Sequence, residues 1–203
     1  VGSRSSVKKI IKSGRVYVDG EEVVKPETKI DENASQVMVD GSEICYNKYE
    51  YYMLNKPKGC ISATNDREHK TVIDIIKSSN KKDLFPVGRL DIDTEGLLLI
   101  TNNGELAHKL LSPKKHVEKK YYVEVQGILD ENDAKLVQEG LDIGEEKLTL
   151  PAKMSNINTD EQNGVSSCFL TIHEGKFHQV KRMMKKLGKS VTYLKRVSMG
   201  SLV

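Results

Sequence analysis

The sequence has few cysteines and no long apolar run, and both absences exclude classes of protein. The longest aliphatic run among its 203 residues covers residues 97–100, far short of the roughly 20 apolar residues that span a bilayer. Cys45, Cys60 and Cys168 are scattered without CxxC spacing, which is typical of a reducing compartment rather than a disulfide framework. No basic-then-apolar signal segment lies at Val1. We therefore expect a cytoplasmic protein without a membrane span.

The motifs of metal, nucleotide and acyl-transfer sites are also missing. Phosphate-binding loops of the GxxxxGK[ST] or GxGxxG type and G-x-S-x-G elbows are absent. The histidines show neither HExxH nor paired Cys/His spacing, and they are His69, His108, His116, His173 and His178. We predict that the protein holds no metal ion and that its histidines are structural or contact RNA.

The net charge of +3 conceals two basic segments. Residues 18–46 carry two basic and eight acidic groups, whereas residues 173–196 carry eight basic groups and one acid, Glu174. Residues 1–17 carry no acid, and their basic groups are Arg4, Lys8, Lys9, Lys12 and Arg15. Such clusters are the electrostatic footprint of a polyanion, most often nucleic acid. A solvated helix face is the alternative.

Periodicity and turn signals predict an α+β fold. The predicted helices cover residues 3–13, 71–78, 105–111, 131–139 and 177–187. The predicted strands cover residues 49–54, 97–101, 121–125 and 168–173, with a further strand beginning at 191 and a loop at 156–164. This irregular mixture favours a mostly antiparallel mixed sheet with flanking helices.

The composition changes near residues 44–48, which predicts domains at 1–46 and 47–203. In the first domain a helix precedes a strand, the dipeptide Asp19-Gly20 and a second strand, which together indicate a hairpin. One helix and short strands bury too little surface to be stable alone. We therefore expect a small α/β domain that lacks its opening part.

One segment concentrates acidic residues directly before an apolar strand. Within residues 88–104, Asp91 follows Arg89 by two positions, and Asp93 and Glu95 continue the alternation. A carboxyl group with a free pKa of about 3.9 is ionised at neutral pH and can act as a nucleophile. A turn whose Asp and Thr side chains cap the backbone is the alternative, and spacing alone favours the turn.

The last predicted helix has one apolar stripe and two basic flanks. The stripe follows helical spacing and predicts the buried face; it consists of Val180, Met183, Met184 and Leu187. The flanks carry Lys181 and Lys185 on one side and Arg182, Lys186 and Lys189 on the other. These flanks, preceded by His178 and Gln179, suit phosphate contacts. For Lys185 and Lys189, solvated side chains are the alternative.

Four motifs occur in a characteristic order. They occupy residues 55–59 (NKPKG), 88–104 (from GRLD to NNG), 119–123 (KKYYV) and 174–183 (EGKFHQVKRM). The set closely resembles the Rsu-type bacterial ribosomal RNA pseudouridine synthases. Residues 3–23 resemble the small RNA-binding domain named after ribosomal protein S-four. Residues 111–119, with Gly144-Glu145 and Pro151-Ala152, are most similar to the small-subunit (16S) enzyme.

The resemblance implies a reaction and its catalytic residues. Pseudouridine formation breaks the bond between the uracil ring nitrogen and the ribose and rejoins the ribose to carbon 5, which requires no cofactor. Asp91 is the implied nucleophile and attacks carbon 6 of uracil or the anomeric carbon. Tyr121 is implied to stack on the uracil and to help remove the carbon 5 proton. Lys181 is the implied basic partner of Asp91, with Arg182 as its alternative.

The resemblance also implies an RNA-binding surface. Arg89 would fill the gap left by the flipped uridine and Leu194 would pack under the pocket, whereas Asp93 and Glu95 would be turn and strand-start groups. The further expected RNA contacts are Arg182, His178, Gln179, Lys56, Arg4, Lys8, Lys9, Lys12 and Arg15. The implied partner is ribosomal RNA or an assembling small subunit, bound by a monomer. A large-subunit (23S) enzyme and a non-catalytic RNA-binding protein on the same fold are the alternatives.

Overall fold

The computed structural model describes residues 2–32, 34–44, 48–78, 83–112 and 115–203. The chain divides into two units, Val1–Lys48 and Tyr49–Val203. No helix of the described residues is long and apolar enough to cross a membrane. Several sequence-based predictions lie outside the described residues: those on Cys45, on most of the expected boundary at 44–48, and on Pro113 and Lys114 of the 16S-like segment.

The first unit consists of one helix and a small antiparallel sheet. Its elements are α1 (Arg4–Lys12), β1 (Val16–Val18), β2 (Glu21–Glu22), β3 (Val37–Val39) and β4 (Ser42–Glu43), with strand order β2-β1-β3-β4. The side chain of Ser3 caps α1 by accepting a hydrogen bond from the backbone N–H of Ser6, as is common for a serine at this position. The helix predicted at residues 3–13 is confirmed.

Two Asp-Gly turns connect strands of this sheet. Asp19 and Gly20 have φ values of 51° and 88°, so both lie in the left-handed region, which suits a two-residue hairpin and carries no steric cost for glycine. The predicted hairpin is confirmed. Asp40 and Gly41 adopt the same conformation between β3 and β4. This second hairpin carries the same sequence signal, which our prediction missed.

The five basic residues of the segment 1–17 fall into two groups. Four of them are exposed on α1, which has no buried residue, and they are Arg4, Lys8, Lys9 and Lys12. Arg15 is engaged instead, because its Nε and Nη2 donate to the carboxylate of Asp40, with an Nε–Oδ1 distance of 2.7 Å. Hydrogen bonding to Arg15 lowers the pKa of the Asp40 carboxyl. An RNA phosphate at Arg15 would therefore compete with Asp40.

The second unit is built around a mixed sheet. Its strands are β5 (Tyr51–Lys56), β6 (Phe85–Pro86), β7 (Glu95–Thr101), β8 (Lys119–Gln126), β9 (Lys153–Asp160), β10 (Val165–Ile172) and β11 (Ser190–Met199). Its helices are α2 (Val72–Ile75), α3 (Gly104–Leu111), α4 (Glu131–Glu139) and α5 (Gln179–Lys186). The strand order is β5-β7-β11-β8-β10-β9, with β6 paired to β7. Among the described pairs only β7 and β11 run parallel, so the predicted α+β fold is confirmed.

The apolar stripe of α5 packs on this sheet. Val180, Met183 and Met184 are buried in the same cluster as Val123 and Leu170 of the strands, which confirms the buried face predicted for the last helix. Burying one such side chain contributes about 1.5–3 kcal/mol. This packing fixes the rotation of α5 and therefore the direction in which its basic flanks point.

Two sequence predictions need correction. The helix predicted at 71–78 is only the four residues of α2, because the backbone turns extended at Ile76, with φ −73° and ψ 132°, directly after the turn capped by Thr71 and Asp74. The loop predicted at 156–164 is wrong over its first half, since β9 continues to Asp160. The strand β9 lies at the edge of the sheet, and there a polar, solvent-facing alternation is compatible with a strand.

One row of paired residues runs across the sheet and contains residues from three of the sequence motifs. Lys56 of β5 pairs with Gly96 of β7, Gly96 with Arg196 of β11, and Arg196 with Tyr121 of β8. Gly96 has a φ of 102°, and a Cβ atom on it would lie 2.1 Å from the backbone oxygen of Arg196. Only glycine therefore allows β7 and β11 to approach this closely.

Replacing Gly96 by alanine is expected to destabilise the protein by about 2 kcal/mol or more, because the new methyl group meets backbone atoms and the φ value is unfavourable. Gly104→Ala is the matched control, since nothing lies within 4 Å of a Cβ there and alanine favours the helix. Urea unfolding measures both changes. Equal effects of the two substitutions would contradict the close approach.

Candidate active site

The turn that carries Asp91 is held by the ammonium group of Lys56. Lys56 is fully buried, and its Nζ donates to the backbone oxygens of Asp91 at 2.9 Å, Thr94 at 2.8 Å and Pro57 at 3.2 Å. Burial lowers the pKa of this ammonium, while nearby carboxylates, including that of Asp91, oppose the shift. Lys56 therefore positions the turn through its carbonyls.

The segment that follows β5 adds further bonds to the same turn. The backbone N–H of Gly59 donates to the carbonyl of Ile92 at 2.7 Å. The hydroxyl of Ser62 lies 2.9 Å from both the backbone nitrogen and the backbone oxygen of Leu90. Residues 56–62 thus form hydrogen bonds with the backbone on both sides of Asp91. These bonds leave the side chain of Asp91 available for contacts in the cleft.

The carboxylate of Asp91 faces two basic side chains of the α5 segment. Lys181 Nζ lies 3.1 Å from Asp91 Oδ2 and 2.6 Å from Asp93 Oδ1. His178 Nε2 lies 3.5 Å from Asp91 Oδ1. The backbone of His178 has φ 47° and ψ 35°, a left-handed conformation that is uncommon for a non-glycine residue. The expected proximity of Lys181 to Asp91 is what the structure shows.

The charge of Lys181 is stabilised by its two carboxylate partners. Burial by itself disfavours the ammonium, but hydrogen bonds to Asp93 and Asp91 outweigh it and raise the pKa of Lys181. The hydrogen bond to Lys181 also lowers the pKa of Asp93. The side chain therefore remains a cation throughout the neutral range, beside a carboxylate that is three-quarters buried.

A cleft opens beside these groups. Its volume is about 750 Å³, and Arg89, Asp91, Tyr121 and His178 are among the residues that line it. It adjoins a smaller cavity of about 70 Å³, lined in part by Asp91, Thr94, Tyr121, Lys181 and Leu194. Tyr121 and Leu194 are 8% and 5% exposed. The implied nucleophile, tyrosine, lysine and leucine thus share one cavity.

The larger cleft also has a positively charged floor. Lys119 and Arg196 line it although both are buried. Burial lowers the pKa of Lys119, and the nearby charge of Arg196 adds to this effect, whereas the carboxylate of Glu174 opposes it. Arg196 Nε donates to the backbone oxygen of Leu97 at 2.7 Å, but its Nη2 finds no hydrogen-bond partner among the described residues.

Three expected RNA contacts are placed differently by the structure. Lys56 is inaccessible, as described above. Gln179 is 4% exposed, accepts a hydrogen bond from the backbone of Lys176 and donates to Glu174. Arg182 points away from Asp91, because it pairs with Glu145 at 2.6 Å. Arg182 is therefore not the alternative partner of Asp91. Lys56 and Gln179 are engaged inside the protein, whereas an RNA phosphate at the partly exposed Arg182 would compete with Glu145.

Sequence reasoning missed part of the site. Lys119, Lys176, Phe177 and Arg196 all line the cleft, yet none was singled out. Lys119 and Tyr121 alternate with outward-facing residues along β8, whose burial has a period of two. That alternation in KKYYV was the available signal for Lys119. Arg196 carried no comparable local signal, since its position depends on long-range register.

The described residues contain no group of three or more His, Cys, Asp or Glu side chains that could hold a metal ion. The absence of a metal or cofactor from the reaction, the monomeric state and the cytoplasmic location stay predictions.

Comparison with known proteins identifies two domains. Residues 50–186 match the family of RNA pseudouridylate synthases, and residues 1–35 match the S4 domain. The uncharacterized RNA pseudouridine synthase YtzG of Bacillus subtilis is 44% identical over 200 residues, which cover 98% of this chain and 83% of the relative.

Relatives with named substrates and a solved structure agree with this match. The ribosomal large subunit pseudouridine synthase B of Bacillus subtilis is 39% identical, covering 97% of this chain and 80% of the relative. The ribosomal small subunit pseudouridine synthase A of Pseudomonas aeruginosa is 38% identical, covering 98% and 85%. The crystal structure of a pseudouridylate synthase superposes with a TM-score of 0.70 at 33% identity, covering 99% and 84%. The chain therefore belongs to the family of RNA pseudouridine synthases, enzymes that isomerise uridine to pseudouridine in RNA.

Proposed function

We propose that Asp91 is the nucleophile that isomerises one uridine of small-subunit (16S) ribosomal RNA. The observation that carries this proposal is the position of its carboxylate, which lies in the cleft 3.1 Å from the ammonium of Lys181. The cation of Lys181 beside this partly buried carboxylate attracts and orients it through a charge-assisted contact. Asp91 then forms a bond to carbon 6 of uracil or to the anomeric carbon, both of which lie in the same nucleotide.

The neighbouring side chains account for the remaining steps. When the bond between ring nitrogen 1 and the ribose has broken, the base is turned, and the bond from the ribose to carbon 5 forms. The bond between Asp91 and the nucleotide then breaks, or has broken as carbon 5 displaces Asp91 from the anomeric carbon, which returns the free carboxylate. The carbon 5 proton must then leave, and nitrogen 1 must gain one, so that the product is an isomer of the substrate. Tyr121 stacks on the base and assists removal of that proton. Leu194 supports the base from below, because it lines the small cavity beside Asp91.

The target uridine must leave its stack to reach this cavity. Base flipping costs a few kcal/mol, and least where the base is unpaired. Arg89 is exposed and lines the cleft, so it is placed to occupy the gap left in the RNA. Phosphate contacts from α1 of the S4 domain and from the cleft offset the cost of flipping.

Support for a small-subunit substrate comes from residues 111–119. This segment resembles the 16S enzymes, and its two ends, Leu111 and Lys119, line the cleft. Leu111 and Lys119 would therefore lie beside RNA bound around the target. The Pseudomonas aeruginosa relative acts on the small subunit by name, whereas the Bacillus subtilis relative at 39% identity acts on the large subunit by name.

Pseudouridine mapping tests the nucleophile and the substrate together. Wild-type protein, supplied to unmodified 16S and 23S ribosomal RNA and to their subunit particles, is expected to convert one uridine of the small subunit. Asp91→Asn is expected to convert none, because the neutral amide cannot form the bond. The stable fold of the variant is checked by thermal unfolding.

Three outcomes of this mapping would count against parts of the proposal. A new pseudouridine in 23S RNA alone would identify the large-subunit reaction. Full activity of Asp91→Asn would remove Asp91 as the nucleophile. No new pseudouridine with either protein would favour a non-catalytic RNA-binding protein on the same fold.

Replacement of Lys181 by methionine is expected to lower the single-turnover rate about 10²- to 10³-fold at saturating RNA, because a preorganised charge in the site is lost. Lys185→Met is the matched control, since Lys185 is exposed one helical turn further along α5. Its rate should equal that of the wild type. Equal losses in the two variants would show that Lys181 acts only through the general charge of the helix.

Affinity for RNA is expected to fall steeply with salt, with a slope of about −0.7 in log K against log salt for each neutralised phosphate of a single strand. The double variant Lys8→Ala, Lys12→Ala should lose about 1.4 from this slope if each lysine neutralises one phosphate. Lys25→Ala, Lys29→Ala removes the same charge from exposed positions of the same unit. An equal loss in both variants would contradict a specific role of α1.

A further inference from the structure

Beyond the pocket assigned to the flipped uridine, the cleft has a second, larger lobe. The small cavity beside Asp91 measures about 70 Å³, whereas the adjoining lobe measures about 750 Å³ and is lined by Lys119, Phe177 and Arg196. A space of this size is within the range that accommodates whole drug-sized ligands, which is more than one uracil ring requires. The lobe carries two features that the reaction at Asp91 does not use.

The first feature is an exposed aromatic ring at the cleft. Phe177 is 68% exposed, and among the large apolar side chains of the described residues only Val203 is more exposed. Its ring stacks on the imidazole of His178, with centroids 3.8 Å apart and an interplanar angle of 19°. His178 in turn lies 3.5 Å from the carboxylate of Asp91. The exposed ring of Phe177 therefore stacks on a side chain that itself contacts Asp91.

The backbone that carries this ring is fixed. Arg182 Nη1 donates to the backbone oxygen of Phe177 at 3.1 Å. On the preceding residue, the backbone N–H of Lys176 donates to Gln179 Oε1 at 2.9 Å. The ring is thus presented on a bonded turn rather than on a free loop. A preorganised ring loses little conformational entropy when a partner stacks on it.

The second feature is the cationic floor of the lobe. Arg196 is 2% exposed and has one nitrogen, Nη2, without a hydrogen-bond partner among the described residues. Lys119, also buried, lines the same lobe. Two carboxylates, those of Asp91 and Glu174, line the lobe as well, and that of Glu174 opposes the lowering of the Lys119 pKa. Four basic side chains outnumber them, and they are Arg89, Lys119, Lys176 and Arg196. The lobe therefore has an excess of positive charge that attracts an anionic ligand.

We propose that this lobe binds the nucleotide adjacent to the flipped uridine, with its base stacked on Phe177 and its phosphate attracted by Lys119 and Arg196. The proposal rests on the function proposed above only in naming the uridine as the neighbour. An aromatic ring in a positively charged groove is the combination that binds unpaired nucleotides. The stack on Phe177 replaces part of the stacking that is lost when the uridine leaves the RNA helix.

Binding to a defined RNA tests the base contact without requiring catalysis. The probe is a fluorescent 12-nucleotide single-stranded RNA with one central uridine, and its comparator carries an abasic sugar on each side of that uridine. Both RNAs keep every phosphate. The proteins are Asp91→Asn and the same variant with Phe177→Leu, Phe177→Tyr or Tyr51→Leu. Tyr51 is the matched control because it is half-exposed and is not among the residues lining the cleft.

Phe177→Leu is expected to weaken binding of the intact RNA by about 5- to 150-fold, the range for one stacked base, and to leave binding of the abasic RNA unchanged. Phe177→Tyr, which keeps the ring, and Tyr51→Leu should bind as their parent does. Unchanged binding of the intact RNA by Phe177→Leu, or an equal loss on both RNAs, would overturn the proposal. If these binding results hold while wild-type protein forms no pseudouridine, the proposed reaction fails and the nucleotide subsite stands.

A neutral methylphosphonate at the linkages beside the uridine tests the phosphate contact while leaving the protein unaltered. Affinity is expected to fall about 10-fold or more, the effect of losing one hydrogen-bonded charge contact. The same substitution at a terminal linkage should have a smaller effect. Equal effects at the two positions would show that the floor of the lobe does not hold the neighbouring phosphate.

Discussion

The position of Asp91 depends on one buried ammonium group. Removing the charge of Lys56 from water costs several kcal/mol unless the group is well bonded, and here it is bonded to the carbonyls of the turn that carries Asp91. The same bonds fix the turn, so the cost of burying Lys56 and the placement of the proposed nucleophile are two aspects of one interaction. Lys181 and His178 approach a carboxylate whose backbone is held by bonds from outside α5.

The register of the central strands explains why distant motifs form one site. One row across four strands contains Lys56, Gly96, Arg196 and Tyr121. In the sequence, 140 positions separate Lys56 from Arg196. At the centre of this row, Gly96 allows β7 and β11 to approach as a parallel pair. The row joins the Lys56 anchor to the floor of the cleft. The same strand register therefore places both the groups proposed to bind RNA and the groups proposed to carry out the reaction.

Local signals in the sequence predicted the features that depend on local physics. The helix α1, the first Asp-Gly hairpin, the stripe of α5 and the mixed sheet follow from short patterns. Patterns of charge were less informative, because a lysine on the surface and a buried lysine look alike in sequence. Lys56 and Arg182 were therefore expected to contact RNA. In the structure Lys56 binds the carbonyls of the turn that carries Asp91, and Arg182 binds Glu145. Both sets of partners can be identified only from long-range contacts.

The most direct test of this account is the single-turnover rate of pseudouridine formation by Lys56→Met, measured together with RNA affinity and thermal stability. Methionine has a similar length and no charge, so it removes the bonds to the turn while filling much of the space. The rate is expected to be at least about 100-fold lower, the size of a misplacement effect, with RNA affinity unchanged in a folded protein. A folded variant with the wild-type rate would contradict the claim that Lys56 positions Asp91.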